Sequence, residues 1–229
     1  MNFDVILESL PLYATGVLTT LRLLALSLLI GGLLALPLAV LRVMPQRWVH
    51  GPVWLFTYVI RGTPMLVQLF IIYYGLAQFE WVRASALWPW LQSASFCAIA
   101  AFAINTCAYT TEIIAGALKA TPHGEIEAAR AMGMSRGLML RRVLLPAALR
   151  RALPAYGNEA VMMLQATSLA SVVTLLDITG VARDVNARHY LPFEAFITAG
   201  LLYLVITLTM VSLLHAAEKR LLVHLRPRA

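Results

Sequence analysis

Long apolar runs separated by short polar segments dominate the chain. Those at about 17–41, 53–76, 94–118, 156–177 and 194–216 are each long enough to cross about 30 Å of hydrocarbon as a helix. The pattern predicts an all-α integral membrane protein with five transmembrane helices. Pro37, Pro64, Pro154 and Pro192 lie within or beside these runs. A membrane helix tolerates proline where its neighbours satisfy the freed carbonyls. The opening residues, MNFDVILESLPLYATG, have neither the basic start nor the small-residue cleavage site of a signal peptide. They are expected to form a short surface segment over 1–14, ahead of one membrane domain over 15–216 and a tail over 217–229.

Composition agrees with a bilayer as solvent, at 60% hydrophobic and 13% charged residues with a mean hydropathy of +0.77. The net charge of +7 does not point to nucleic acid, because no separate polar domain exists to bind it. It follows topology instead. The segments 42–52 and 118–152 and the tail collect Arg42, Arg47, Lys119, Arg130, Arg136, Arg141, Arg142, Arg150, Arg151, Lys219, Arg220, Arg226 and Arg228, thirteen of eighteen basic residues. The opposite side holds Arg83, Arg183 and Arg188, offset by Glu80, Asp177, Asp184 and Glu194. The positive-inside rule then puts the N-terminus outside, in the periplasm, and the C-terminus in the cytoplasm.

The five histidines are scattered without ligand spacing, so no metal site is expected. Ser168 and His189 fall in different regions with no motif linking them, so no catalytic constellation is expected either. Cys97 and Cys107 fall in one run, separated along a helix by about 15 Å, too far to bridge.

Polar residues at membrane depth are the candidate machinery. Asn105, Tyr109 and Glu112 recur on one face of the third span, and Arg61 and Glu159 lie at comparable depth in the second and fourth. Such charges cost about 2.5 to 3.5 kcal/mol each at a helix centre and must be paired or hydrated. Arg61 therefore either pairs with Glu112 or Glu159 to hold helices together, or serves a gate or substrate path. Gly62, Thr63 and Pro64 after Arg61 predict a break in the helix, a feature that lines many transporter sites. In the fourth span, Asn158, Met162, Gln165 and Leu169 share a face, with Thr167 and Ser168 nearby. An odd number of spans without an internal repeat leaves a pathway lacking one wall, so a dimeric membrane core is expected.

Six arginines crowd the segment EAARAMGMSRGLMLRRVLLPAALRRALP from Glu127 to Pro154. Before it, Thr121 and Pro122 predict a cap and first turn, Gly133 a left-handed stop, and Ser135 the cap of a second helix. The first helix aligns Ile126, Ala129 and Met132 or Gly133 on a stripe of little bulk. It suits docking into a groove on another protein, or rest on lipid headgroups.

The segment resembles the EAA loop of bacterial ABC importer permeases. YVIRGTPMLVQLF at 58–70, INTCAYTTEIIAGAL at 104–118, PHGEIEAARAMG at 122–133 and TSLAS at 167–171 extend the resemblance over nearly the whole chain. Together they are similar to permeases for polar amino acids, in particular the M-type permeases for histidine, lysine, arginine and ornithine. The resemblance implies a type I (MetI-like) permease core whose cytoplasmic EAA coupling loop, about 121–151, docks on an ATPase through Glu127, Ala128, Ala129 and Gly133. It also implies a paralogous permease, two ATPase subunits that bind ATP and magnesium, and a periplasmic amino-acid-binding protein. No GxxxxGK[ST] phosphate loop occurs in this chain. Many permeases of the family carry lysine where this chain has Gln165, so its loss favours a cationic substrate. A second departure, AGAL before Lys119 in place of the common RGA, leaves one fewer arginine there. An ion-coupled carrier using Glu112 and Glu159 is the alternative class; neither five spans nor an EAA loop suits it.

Overall fold

The computed structural model describes residues 3–222; Met1, Asn2 and 223–229, with His224, Arg226 and Arg228, lie outside the described residues. Every described segment longer than a turn is helical, as a lipid solvent demands of a backbone that must satisfy its own hydrogen bonds. The first helix, α1, runs unbroken from Phe3 to Arg42. The segment expected to lie apart at the surface is thus its first turns. The reason is a buried face: Ile6, Ser9, Tyr13 and Gly16 recur at helical spacing, and the Tyr13 hydroxyl donates to the Ala195 carbonyl at 2.9 Å. Further on, Ser27, Gly31, Ala35 and Ala39 form a fully buried row of small residues at four-residue spacing. Such a row lets two membrane helices approach backbone to backbone.

The second helix, α2, spans Arg47–Arg61 and stops at Gly62. A short α3, Met65–Phe70, continues through a π turn over Ile71–Gly75 and a 3₁₀ turn over Leu76–Gln78. The two limbs meet at 102°, so the expected break is a sharp corner. Two single turns, α4 (Glu80–Arg83) and α5 (Trp88–Leu91), lead to α6, Ala94–Lys119. Ser93 caps α6 by accepting from Phe96 N–H. This helix is the central post, buried along most of its length between α1, α2, α3 and α9.

Beyond it come α7 (His123–Ala131), α8 (Arg136–Met139), a π turn over Leu140–Leu144 and α9 (Leu145–Ala166). Pro146 cannot donate to the carbonyl four residues back, and the helix widens in the turn before it. A 3₁₀ segment, Thr167–Val173, ends at Thr174 in the left-handed region with φ 67°. The region after it, between the fourth and fifth apolar runs, is a helix, α10 (Ile178–His189). Asp177 caps it, accepting from Thr179 and Gly180 N–H at 3.1 and 3.0 Å. The last helix, α11, covers Pro192–Leu221, so the tail expected from 217 begins as helix.

By length and composition α1, α6 and α11 can each cross a membrane, and counting each bent pair as one span brings the number to the expected five. Three apolar clusters stack along the bundle. One joins Tyr13 to α10 and α11, a central one surrounds Leu69, Phe102 and Leu164, and the third packs Ala39, Ile114, Leu118, Ala148 and Ala152 near α7.

Candidate functional site

At the corner after α2, Thr63, Pro64 and Met65 face Asn105 and Tyr109 of α6 and Glu159, Met162, Met163 and Ala166 of α9. Between them lies a pocket of about 240 Å³. Four residues singled out from sequence, Thr63, Asn105, Tyr109 and Glu159, are thus brought together from three elements. Glu159 is only 5% exposed, yet no described side chain pairs with its carboxylate or donates a hydrogen bond to it. An unpaired buried carboxylate is costly. The pocket therefore offers a carboxyl group that an incoming cation would hold in its charged form, with hydroxyl and amide partners beside it.

The corner is held by a residue that sequence reasoning passed over. Pro64 has no N–H to give to the Ile60 carbonyl, and buried Gln68 takes over: its two Nε2 protons are shared among Ile60 O at 2.7 Å, Thr63 Oγ1 at 2.8 Å and Thr63 O at 3.1 Å. Its Oε1 accepts from Asn105 Nδ2 at 3.1 Å, tying the corner to α6. The sequence signal was there: a lone amide one turn after a proline break in an apolar run.

Arg61 forms an ion pair with neither Glu112 nor Glu159. Its guanidinium instead stands 5.1 Å from the Tyr109 ring centroid, within electrostatic range of both acids. Glu112 is taken by Arg42, whose Nε donates at 2.6 Å, and by the Thr57 hydroxyl at 2.7 Å. The expected pairing of Arg61 fails because Arg42, at the last turn of α1, reaches Glu112 first. Arg42 thereby clamps α1, α2 and α6 instead of lying free in a loop.

Gln165 and Ser168 do not line this pocket. They border a separate groove of about 350 Å³ with Thr179, Phe196, Ala199, Gly200 and Tyr203. Thr167 is buried, its hydroxyl donating to the Leu164 carbonyl at 2.6 Å within its own helix.

At the far end of α6, Gly133 adopts φ 72° and the Ser135 side chain accepts from Leu138 N–H, as expected. Thr121 does not cap α7; its hydroxyl accepts from Arg151 Nη2 at 2.6 Å. Glu127, Ala128, Met132 and Gly133 are exposed, whereas Ala129 is buried against the underlying segment. The expected stripe of Ile126, Ala129 and Met132 therefore splits, with Ala129 facing inward.

The sequence profile of the family described as "Binding-protein-dependent transport system inner membrane component" matches residues 27–223. The chain is 51% identical over 214 residues to the histidine/lysine/arginine/ornithine transport system permease protein HisM of Escherichia coli (strain K12), covering 93% of this chain and 90% of that one. To the nopaline transport system permease protein NocM of Agrobacterium fabrum (strain C58) it is 46% identical over 229 residues, covering 100% and 95%. A crystal structure of an amino acid ABC transporter with histidines superposes with a TM-score of 0.86 at 35% identity, over 96% of this chain and 99% of that one. An inward-facing MetNI methionine ABC transporter shares the fold, with a TM-score of 0.78 at 18% identity over 93% and 98%.

Proposed function

This chain belongs to the family of binding-protein-dependent transport system inner membrane components, and on that footing we propose that it passes basic amino acids inward across a bacterial inner membrane. It is a permease subunit of an ABC importer, not an enzyme, and ATP hydrolysis belongs to a separate chain. Arginine, ornithine, lysine and histidine are the proposed substrates. The observation that carries this is the buried, unpaired carboxylate of Glu159 in a pocket with Thr63, Asn105 and Tyr109. Arg61 acts on this carboxyl only from a distance, so a cationic side chain supplies the close partner it lacks, and the neighbouring amide and hydroxyls orient it. Gln165, one helical turn beyond Met162 on the same face of α9, is the next polar group on the path, and Ser168 follows, with Thr167 buried behind them.

The segment around α7 lies in the cytoplasm in this reading, and the N-terminus of α1 in the periplasm. Glu127, Ala128 and Gly133 meet an ATPase, with Ala129 supporting them from beneath. Two ATPase subunits bind ATP and magnesium, a paralogous permease supplies the other wall, and a periplasmic binding protein delivers substrate.

Arginine uptake by liposomes containing the complete transporter, compared with its Glu159→Gln variant, tests the proposal. The expected result is ATP-dependent uptake in the wild type and a loss of about tenfold or more in the variant, equivalent to about 1.4 kcal/mol. Equal uptake by the two would remove Glu159 from the path. Uptake by this chain alone, without ATP, would instead make it an ion-coupled carrier.

A further inference from the structure

The arginines after α7 are not equivalent. Arg141, Arg142 and Arg150 are exposed, whereas Arg151 turns inward and is only 19% exposed as a side chain. Its Nη2 donates to Thr121 Oγ1 at 2.6 Å, and its Nη1 lies 3.8 Å from Glu125 Oε1. Its Nε is buried without a partner. The two partners flank the first turn of α7, so one planar guanidinium grips the junction where α6 becomes α7. Only arginine can do so, since its fork presents separate N–H groups in fixed directions, where lysine offers a single point.

The other end of this lever is the pocket. Arg151 and Glu159 lie on the same unbroken helix, α9, eight residues or about 12 Å apart along the axis. Ala148 and Ala152 on either side of Arg151 pack against Ile114 and Leu118 of α6, so the grip sits in a close-packed seam. That seam moves as a unit more readily than it deforms.

We propose that Arg151 is a positioning residue that fixes α7 to α9 and so carries movement of a docked motor to the Glu159 pocket. The inference rests on the importer reading above. Pro122 occupies the N-cap of α7, so the Thr121 hydroxyl one residue before it is free to take the Arg151 contact and tie the start of the helix to α9.

The test uses the complete transporter in liposomes with Arg151→Ala, Arg151→Lys, Thr121→Val and the Ala/Val double variant. Three quantities are measured: ATPase retained on purification, basal ATP hydrolysis, and amino acid imported per ATP hydrolysed. Arg151→Ala is expected to keep the first two near wild type while import per ATP falls at least tenfold. Thr121→Val, which removes one hydroxyl and leaves the shape, is expected to lower import per ATP several-fold. The double variant is expected to be no worse than Arg151→Ala, because both substitutions cut one connection, and Arg151→Lys to recover part of the loss. Unchanged import per ATP in Thr121→Val and Arg151→Ala would overturn the proposal. So would additive losses in which assembly and hydrolysis fall in proportion to import, the mark of a merely structural role. A wild-type transporter without ATP-dependent uptake would sink the importer reading itself, a result separable from both.

Discussion

Gln68 decides the shape of the pocket at the scale of single residues. It donates to the Ile60 and Thr63 carbonyls at the break, the first of which also accepts from Thr63 at 3.3 Å and longer. Replacing it with leucine keeps the volume, takes the donor from the Thr63 carbonyl and leaves the Ile60 carbonyl with its longer bonds from Thr63, at a cost of about 1–3 kcal/mol. Gln68→Leu is therefore expected to lower the melting midpoint of the detergent-solubilised transporter by several degrees and to raise its KM for arginine, through Asn105 and Thr63 losing their fixed positions. Gln68→Glu keeps the acceptor for Asn105 but cannot donate to the carbonyls, and is expected to fare no better. An unchanged midpoint and KM in both would show that the corner holds without the amide. The same scale marks where sequence reasoning fell short. Arg61, Glu112 and Glu159 were legible as charges needing partners, because their depth follows from spacing. The choice of Arg42 over Arg61 as the partner of Glu112 was not, since it depends on how α1 crosses α6, and the crossing is set by residues with almost no side chain.

Those residues belong to the scale of elements. A Cβ on Gly31 would stand 2.7 Å from the Ala103 carbonyl oxygen and 2.8 Å from Thr106 Cγ2, so glycine is what lets α1 lie on α6. Its neighbour Gly32 would meet only the Tyr156 hydroxyl, at 3.5 Å, an ordinary contact. Gly31→Ala is expected to separate the two helices at a cost of about 1–3 kcal/mol. Gly32→Ala, one position away, is expected to be neutral or slightly stabilising through helix propensity. Thermal unfolding of the two purified variants checks the pair, and equal midpoints would mean the α1–α6 seam yields without penalty. The spans, the break at Gly62–Pro64, the left-handed Gly133 and the Ser135 cap were legible because each rests on local chemistry. Three features were not. The first turns of α1 are helical because Tyr13 reaches Ala195, 182 residues away. Residues after Asp177 form α10 with its apolar face buried against α1 and α11. Thr121 stands one residue before the N-cap, Pro122, and its hydroxyl is held by Arg151, 30 residues on. Each involves a long-range contact that local chemistry does not show.

At the scale of the whole molecule, the pocket around Glu159 is open along one face of α9. Met162, on its rim, is 60% exposed, and Asn158 and Gln165 on the same face of α9 are exposed as well, so this chain does not close the pocket on that side. Two polar groups and a soft thioether side chain are a poor surface for lipid, unlike the leucine and valine face of α11, where Leu204 is 51% exposed and Val205 61%. The first face is therefore expected to line a water-filled path between two permeases, and the second to meet acyl chains. Cysteine reactivity separates them cleanly, because the native Cys97 and Cys107 are both buried. In the assembled transporter, Met162→Cys is expected to react with a charged, membrane-impermeant thiol reagent at least tenfold faster than Leu204→Cys, and to be slowed by saturating arginine. Equally slow reaction at the two sites would put the α9 face against lipid or a tightly packed partner. The Glu159 carboxylate would then be a structural charge, and the route for a cation would have to lie elsewhere in the bundle.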